Sequence, residues 1–500
     1  MARLVFLAII AIGGSVAWAQ SSDLALPSIG ASADSLISPE QERRIGVSML
    51  REFRAHNLVL DDPLFSDYLS GLGYRLVAQS ERQASDFTFF TVRTPDINAF
   101  AAPGGFIGVN TGLIHIADNE SELAAVIGHE IAHVSQRHLV RAVESMQKVS
   151  LPILLGMLAA AIAAQSAGNG DGTQAALIGG LGLMQQKSIT FTRNNEYEAD
   201  RVGIQTLHRA GYEPDAMADF FARMARAVRG TAEEGSEFLR THPVTVSRVT
   251  EAKNRAEAMR ALGKPVLDHS TLDDRRFLLM RERCWVLSSD NAEALIPYYQ
   301  GRLELAPARE QEPLRYGLGL AQLGSGKGES ARDTLGRLAR NDPGNPLFEL
   351  PLAEAERVAG RLDVALKRAE RLVRHYPGNR AVTLAYASLL NATETRANGA
   401  KSAELLRGLI FAGDEDLAAQ RAFARASELA GEELRALEAH AEVALLSGRP
   451  LDAMEQLQRL LKRPNLDYYQ RARVEALVAL ITPFILEFER ERRRAPPAPQ

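Results

Sequence analysis

Histidine accounts for 10 of the 500 residues, and two of these, His129 and His133, stand four apart in the run VIGHEIAH from Val126 to His133. On a helix, positions i and i+4 lie about 40° apart, so both imidazoles face one side and can reach a single ion, with Glu130 one step round. Two zinc ligands and a general base for hydrolysis are thereby placed on one helix. At this composition a chance HExxH is expected on the order of 0.01 times in the chain, so the spacing carries information. His138, five residues beyond His133, falls off that face and is expected to be solvated. A hydrolytic zinc site also needs a third protein ligand and a position open to water. The run NNEYEADR from Asn194 to Arg201 offers the ligand: Glu196 and Asp200 are again i and i+4. One carboxylate can bind the metal while the other hydrogen-bonds the far nitrogen of a ligand histidine and fixes its tautomer. Glu196 is favoured as the ligand, and Glu198 is read as structural.

These residues need rigid elements beneath them. Helical periodicity over 119–145 and 194–229 carries the two motifs, and a loop with Thr241, His242 and Pro243 leads into a helix from about Val244 to Leu262. Upstream, Ser38-Pro39 and Asp62-Pro63 each open a helix, ending near Arg54 and Ala78. Between them and the first motif, DFTFFTV from Asp86 to Val92 and GFIGVN from Gly105 to Asn110 read as short strands, the second following a Pro103-Gly104-Gly105 turn. The expected arrangement is a small sheet beside helices.

Beyond about residue 270 the chain becomes rich in Ala, Leu, Arg and Glu. Gly326, Ala331 and Pro343 recur 34 residues later as Gly360, Ala365 and Pro377. Thirty-four is the tetratricopeptide period, in which a small residue packs between paired helices and Pro ends the second. Gly448 and Ala453 repeat the five-residue offset, but 88 residues from Gly360, so an interruption is expected around 391–435. The tail ERERRRAPPAPQ reads as disordered.

Lys and Arg number 58 against 62 Asp and Glu, a net charge of −4, so no basic excess suggests nucleic acid as a partner. Cys284 is the only cysteine, which excludes an intrachain disulfide and a cysteine zinc cluster and leaves His and carboxylates to hold any metal. The N-terminus has the plan of a secretory signal: Met-Ala-Arg, an apolar run from Leu4 to Ile12, and Ala17-Trp18-Ala19 before Gln20. Export would place the mature chain in the periplasm of a Gram-negative cell. Two uncharged runs, Leu151–Ala164 and Ala175–Met184, are too short to span a bilayer and fit a buried or interfacial hairpin over 146–190, with peripheral membrane contact open to it.

The segment NAFAAPGG from Asn98 to Gly105, the HExxH at 129–133, Glu196 with Asp200, and Thr241-His242-Pro243 followed by Arg248 together resemble the HtpX/CAAX-prenyl-protease family of zinc metallopeptidases, over about residues 40–265. With a signal before it and repeats after it, the chain is similar to periplasmic members of that family rather than to multi-span ones. The resemblance implies His129, His133 and Glu196 as ligands of one zinc ion, Glu130 as catalytic base, Asp200 as an orienting residue, and His242 as a removable fourth ligand. For Arg248 it leaves two roles open, contact with substrate or oxyanion and pairing with a nearby acid. It further implies cleavage of unfolded or misassembled outer-membrane proteins, with the repeats docking on the β-barrel assembly machinery. The fold class that results is mainly α: a zincin-type α+β metalloprotease domain with a small sheet, followed by an all-α tetratricopeptide solenoid. The expected domains are a signal peptide at 1–19, a metallopeptidase at 20–265, repeats at 270–490 and a tail at 491–500. The segment from Asn98 to Asn110 is expected to pair with an extended substrate as an edge strand. The hairpin at 146–190 is placed to act as a lid or plug or simply to pack in the core. The competing reading is a non-proteolytic repeat scaffold or chaperone with a silent or structural zinc site.

Overall fold

The computed structural model describes residues 38–81, 87–145, 193–229, 241–263, 274–412, 415–464 and 466–494. The expected signal peptide, the apolar hairpin at 146–190 and residues 495–500 lie outside these, whereas the start of the tail expected to be disordered is helical to Arg494.

Helix α1 (Pro39–Ala55) begins with a full capping box, in which Ser38 accepts from the Gln41 backbone N–H and the Gln41 side chain returns the bond. Helix α2 (Pro63–Val77) is capped by Asp62, whose carboxylate accepts from the Phe65 N–H. Three strands follow: β1 (Thr88–Val92), β2 (Ala99–Ala102) and β3 (Phe106–Asn110), in the order β1-β3-β2. β3 runs parallel to β1, with Phe90 opposite Gly108, and antiparallel to β2, with Ala101 opposite Ile107. Both edges of β3 are therefore used, and the expected substrate-pairing edge contracts to the outer side of β2. Between β2 and β3, Gly104 adopts φ 74° where an added Cβ would lie 2.6 Å from Arg43 Cα of α1, so only glycine fits this turn.

Helix α3 (Thr111–Ile116) leads to α4 (Glu120–Ser135), which is capped by Asn119 and buried on all sides from Glu120 to His133. The helix expected to continue to 145 instead breaks at Arg137, with φ 53°, and resumes as α5 (His138–Ser145). Helix α6 (Arg193–Arg209) packs along α4, then α7 (Ala216–Arg229) and α8 (Val246–Ala261) complete this part. The approach of α4 and α6 is close because Gly128 faces Gly203, where a Cβ would sit 3.2 Å from the His129 nitrogen.

Twelve further helices follow among the described residues: α9 (Asp274–Ser288), α10 (Ala292–Leu305), α11 (Ala308–Gly324), α12 (Gly328–Asn341), α13 (Pro346–Val358), α14 (Leu362–His375), α15 (Arg380–Asn391), α16 (Arg396–Ala412), α17 (Leu417–Ala430), α18 (Glu433–Leu446), α19 (Pro450–Leu461) and α20 (Tyr468–Arg494). Neighbours pack as successive hairpins in a helical solenoid. Among the described residues the paired helices continue through 391–435, where an interruption was expected, and what changes from there on is the repeat step. Gly326, Gly360, Glu394, Gly431 and Gly448 all have φ between 53° and 78°, and each is followed five residues later by a small residue, Ala331, Ala365, Gly399, Ala436 or Ala453. The first two steps are 34 residues, with Glu394 standing where glycine is usual, and the next two are 37 and 17.

The solenoid packs against α1 and α2. Leu64 of α2 lies among Leu350, Leu372, Ala381 and Val382. Arg380 pairs with Asp416 at 2.6 and 2.8 Å and reaches Asp67 of α2 at 3.1 Å. The Arg51 guanidinium of α1 lies over the Phe484 ring of α20, 4.6 Å from its centroid.

Candidate metal centre

Helix α4 presents His129, Glu130 and His133, α6 presents Glu196 and Asp200, and the loop before α8 brings in His242. All six are buried. His129 Nε2 lies 3.0 Å from His133 Nε2 and 3.4 Å from His242 Nδ1. The Glu196 carboxylate lies 3.5 Å from His129 Nε2, 3.4 Å from His133 Nε2 and 3.1 Å from His242 Nδ1. Ligand atoms of these four residues fall within 4.8 Å of one another and can hold one metal ion. Donors about 2.0–2.1 Å from a tetrahedral zinc are separated from each other by about 3.3–3.4 Å, so the spacings among His129, His133 and Glu196 are close to those of that ion. The donor set, three imidazoles and a carboxylate, also suits zinc.

Behind the ligands, His129 Nδ1 lies 3.0 Å from Asp200 Oδ1. Arg248 donates to both Asp200 oxygens at 2.8 Å and to the Pro243 carbonyl at 2.9 Å, and it lies 2.9 Å from Glu196 Oε2. Of the two roles left open for Arg248, the geometry is that of pairing with acids. Its guanidinium also holds the His242 loop by a backbone carbonyl.

The charge balance follows from burial and partners. Burial disfavours a charged His129, but the nearby Asp200 and Glu196 carboxylates outweigh it and push its pKa up to about 10. Burial alone would raise Glu196, yet His242 and His129 hold it well below the carboxylate range. For His133, burial and then the neighbouring histidines push the pKa down. Glu130 is different: burial dominates and raises its pKa. Its Oε1 has no hydrogen-bond partner among the described residues, and His242 Nε2 stands 3.7 Å away.

Residues 64–256 match peptidase family M48. The chain is also 33% identical over 466 residues to the β-barrel assembly-enhancing protease of Escherichia coli K12, covering 92% of each. The chain belongs to peptidase family M48. Against the protein of the same name from Yersinia pestis the identity is 33%, covering 91% of this chain and 90% of the relative. The Escherichia coli metalloprotease LoiP is 33% identical over 165 residues, 33% of this chain and 60% of that one. With the M48 match and the ligand cluster together, the chain is a zinc metalloendopeptidase.

One residue beside the ligand cluster departs from the sequence expectation. His138, expected to be solvated, is fully buried, with Nδ1 2.8 Å from His133 Nδ1 and Nε2 3.0 Å from Glu198 Oε2. The left-handed turn at Arg137 ends α4 and returns the next residue onto the metal ligand. Extending α4 as one helix had aimed His138 elsewhere, and no glycine marked the turn.

Proposed function

We propose that this M48 peptidase is an exported, periplasmic endopeptidase of outer-membrane quality control. In this reading it degrades misfolded or stalled β-barrel proteins, and its tetratricopeptide-like repeats bind chaperone-fashion and dock on the assembly machinery. The observation that carries the reading is the buried Glu130 oxygen without a partner beside a complete His/His/Glu ligand set, in a chain alike over nine-tenths of its length to proteases named for β-barrel assembly. Among the described residues no helix is long and apolar enough to cross a membrane.

Zinc held by His129, His133 and Glu196 would supply Lewis acidity toward the scissile carbonyl and acidify the attacking water. Glu130 takes the proton of that water at Oε1 and delivers it to the leaving amide nitrogen. The Glu130 carboxylate receives a backbone hydrogen bond from Ala101 of β2, which ties the base to the strand whose outer edge can pair with an extended substrate. Backbone pairing reads few side chains and suits unfolded proteins. Asp200, gripped by Arg248, fixes the tautomer of His129. His242, whose Nδ1 lies 3.1 Å from the Glu196 carboxylate, would hold the metal as a fourth ligand that gives way to substrate.

The test is cleavage of an unfolded outer-membrane barrel protein and of the same protein folded in detergent, by wild type and by His242→Ala, with zinc content measured. Cleavage of the unfolded form alone, faster in the variant, supports the reading. Stoichiometric zinc with no cleavage by either favours the scaffold reading. Because only the deprotonated Glu130 serves as base and burial raises its pKa, activity is full above that pKa and lost as pH falls through it. An acid limb is therefore expected in the kcat/KM profile of the zinc-loaded enzyme, and a profile without one would contradict this.

A further inference from the structure

The two zinc-binding histidines of α4 are supported in different ways. His129 reaches a carboxylate directly, Asp200 at 3.0 Å. His133 faces another imidazole, His138, at 2.8 Å between Nδ1 atoms. We propose that His138 is a positioning residue of the metal centre, which fixes the tautomer and ring plane of His133 by relaying it to Glu198.

The proton order in this relay has one solution. His133 turns Nε2 toward the ligand cluster, 3.0 Å from His129 Nε2 and 3.4 Å from Glu196 Oε1, so its proton lies on Nδ1. That N–H donates to His138 Nδ1, which must then be unprotonated. His138 therefore carries its proton on Nε2 and donates to Glu198 Oε2 at 3.0 Å. Glu198 also accepts from Arg141 at 3.1 Å, which keeps a cation at the outer end. His138 is fully buried, so solvent does not compete for its ring. The corner that delivers it is held in place: Arg137 adopts φ 53° and its guanidinium binds Glu42 of α1 at 2.7 Å. A carboxylate in Glu198 thus does for His133, at one remove, what Asp200 does for His129.

The inference rests on the reading of His133 as a zinc ligand through Nε2, and the test separates the two. Zinc dissociation constants are measured on the full chain by chelator competition at one neutral pH, with the visible spectrum of the cobalt-loaded chain as a second readout. His138→Leu is expected to weaken zinc binding about 10- to 100-fold and to alter the cobalt spectrum, as loss of an outer-shell partner does. His138→Asn, whose Oδ1 replaces the accepting nitrogen, recovers most of the loss. Glu198→Gln weakens binding in the wild-type background and has no further effect in His138→Leu, because Glu198 acts through His138. A zinc dissociation constant within about two-fold of wild type in His138→Leu, or an additive loss in the double variant, would overturn the proposal. Should His138→Leu not fold, Glu198→Gln alone decides, and unchanged zinc affinity there overturns it. His133→Ala is the control: wild-type zinc affinity in that variant would sink the ligand assignment itself.

Discussion

The metal centre and the solenoid tolerate change to different degrees. At the centre, His129, Glu130, His133 and Glu196 are each 1–2% exposed, and the ligand atoms of the two histidines and Glu196 lie 3.0–3.5 Å apart. In the solenoid, the buried contact at each turn is a small residue, the left-handed position accepts Glu394 as well as glycine, and the step can be 34 or 37 residues. Ligand geometry is set by bonds of fixed length, so a single shift in spacing destroys it. Helix packing needs only a small residue near the crossing and a chain reversal before it, so its sequence pattern drifts.

Three substitutions probe that difference. Arg248→Ala leaves Asp200 and Glu196 buried without their cation, and removing one partner of such a pair costs about 3–5 kcal/mol, read from denaturant unfolding of the zinc-free chain. A loss under about 1 kcal/mol would show that the centre is as forgiving as the repeats. Ala365→Leu, at a fully buried helix crossing, is expected to cost about 1–3 kcal/mol while leaving zinc affinity unchanged. A parallel fall in zinc affinity would mean the two regions are coupled more tightly than the contrast implies. Glu394→Gly relieves a non-glycine left-handed residue and is expected to stabilise by about 1 kcal/mol, visible as a higher midpoint. Destabilisation would show that Glu394 is held there by its ion pair with Arg425 rather than tolerated.

The same contrast explains what could be read from the sequence. The capped starts of α1 and α2, the HExxH helix and the Glu196/Asp200 pair follow from local spacing and are found where expected. Ala99–Ala102 reads only as part of an edge segment over Asn98 to Asn110, not as a strand of its own beside β3, because AFAA carries little β-propensity and is held by pairing to β3. The continuity of the solenoid was hidden by Glu394 and by the 37- and 17-residue steps. His138 was misplaced because Arg137, not a glycine, makes the turn. In each case a tertiary contact holds a residue in a conformation that its type does not announce.

Whether Glu130 is the base of a zinc peptidase is decided by one comparison. Wild type and Glu130→Gln are loaded with zinc, their metal content is measured, and kcat is read on an unfolded protein substrate. Equal zinc is expected in both, with a kcat lower by about 10²–10⁴-fold in the variant, the usual contribution of a positioned general base. Equal zinc with equal cleavage would contradict it.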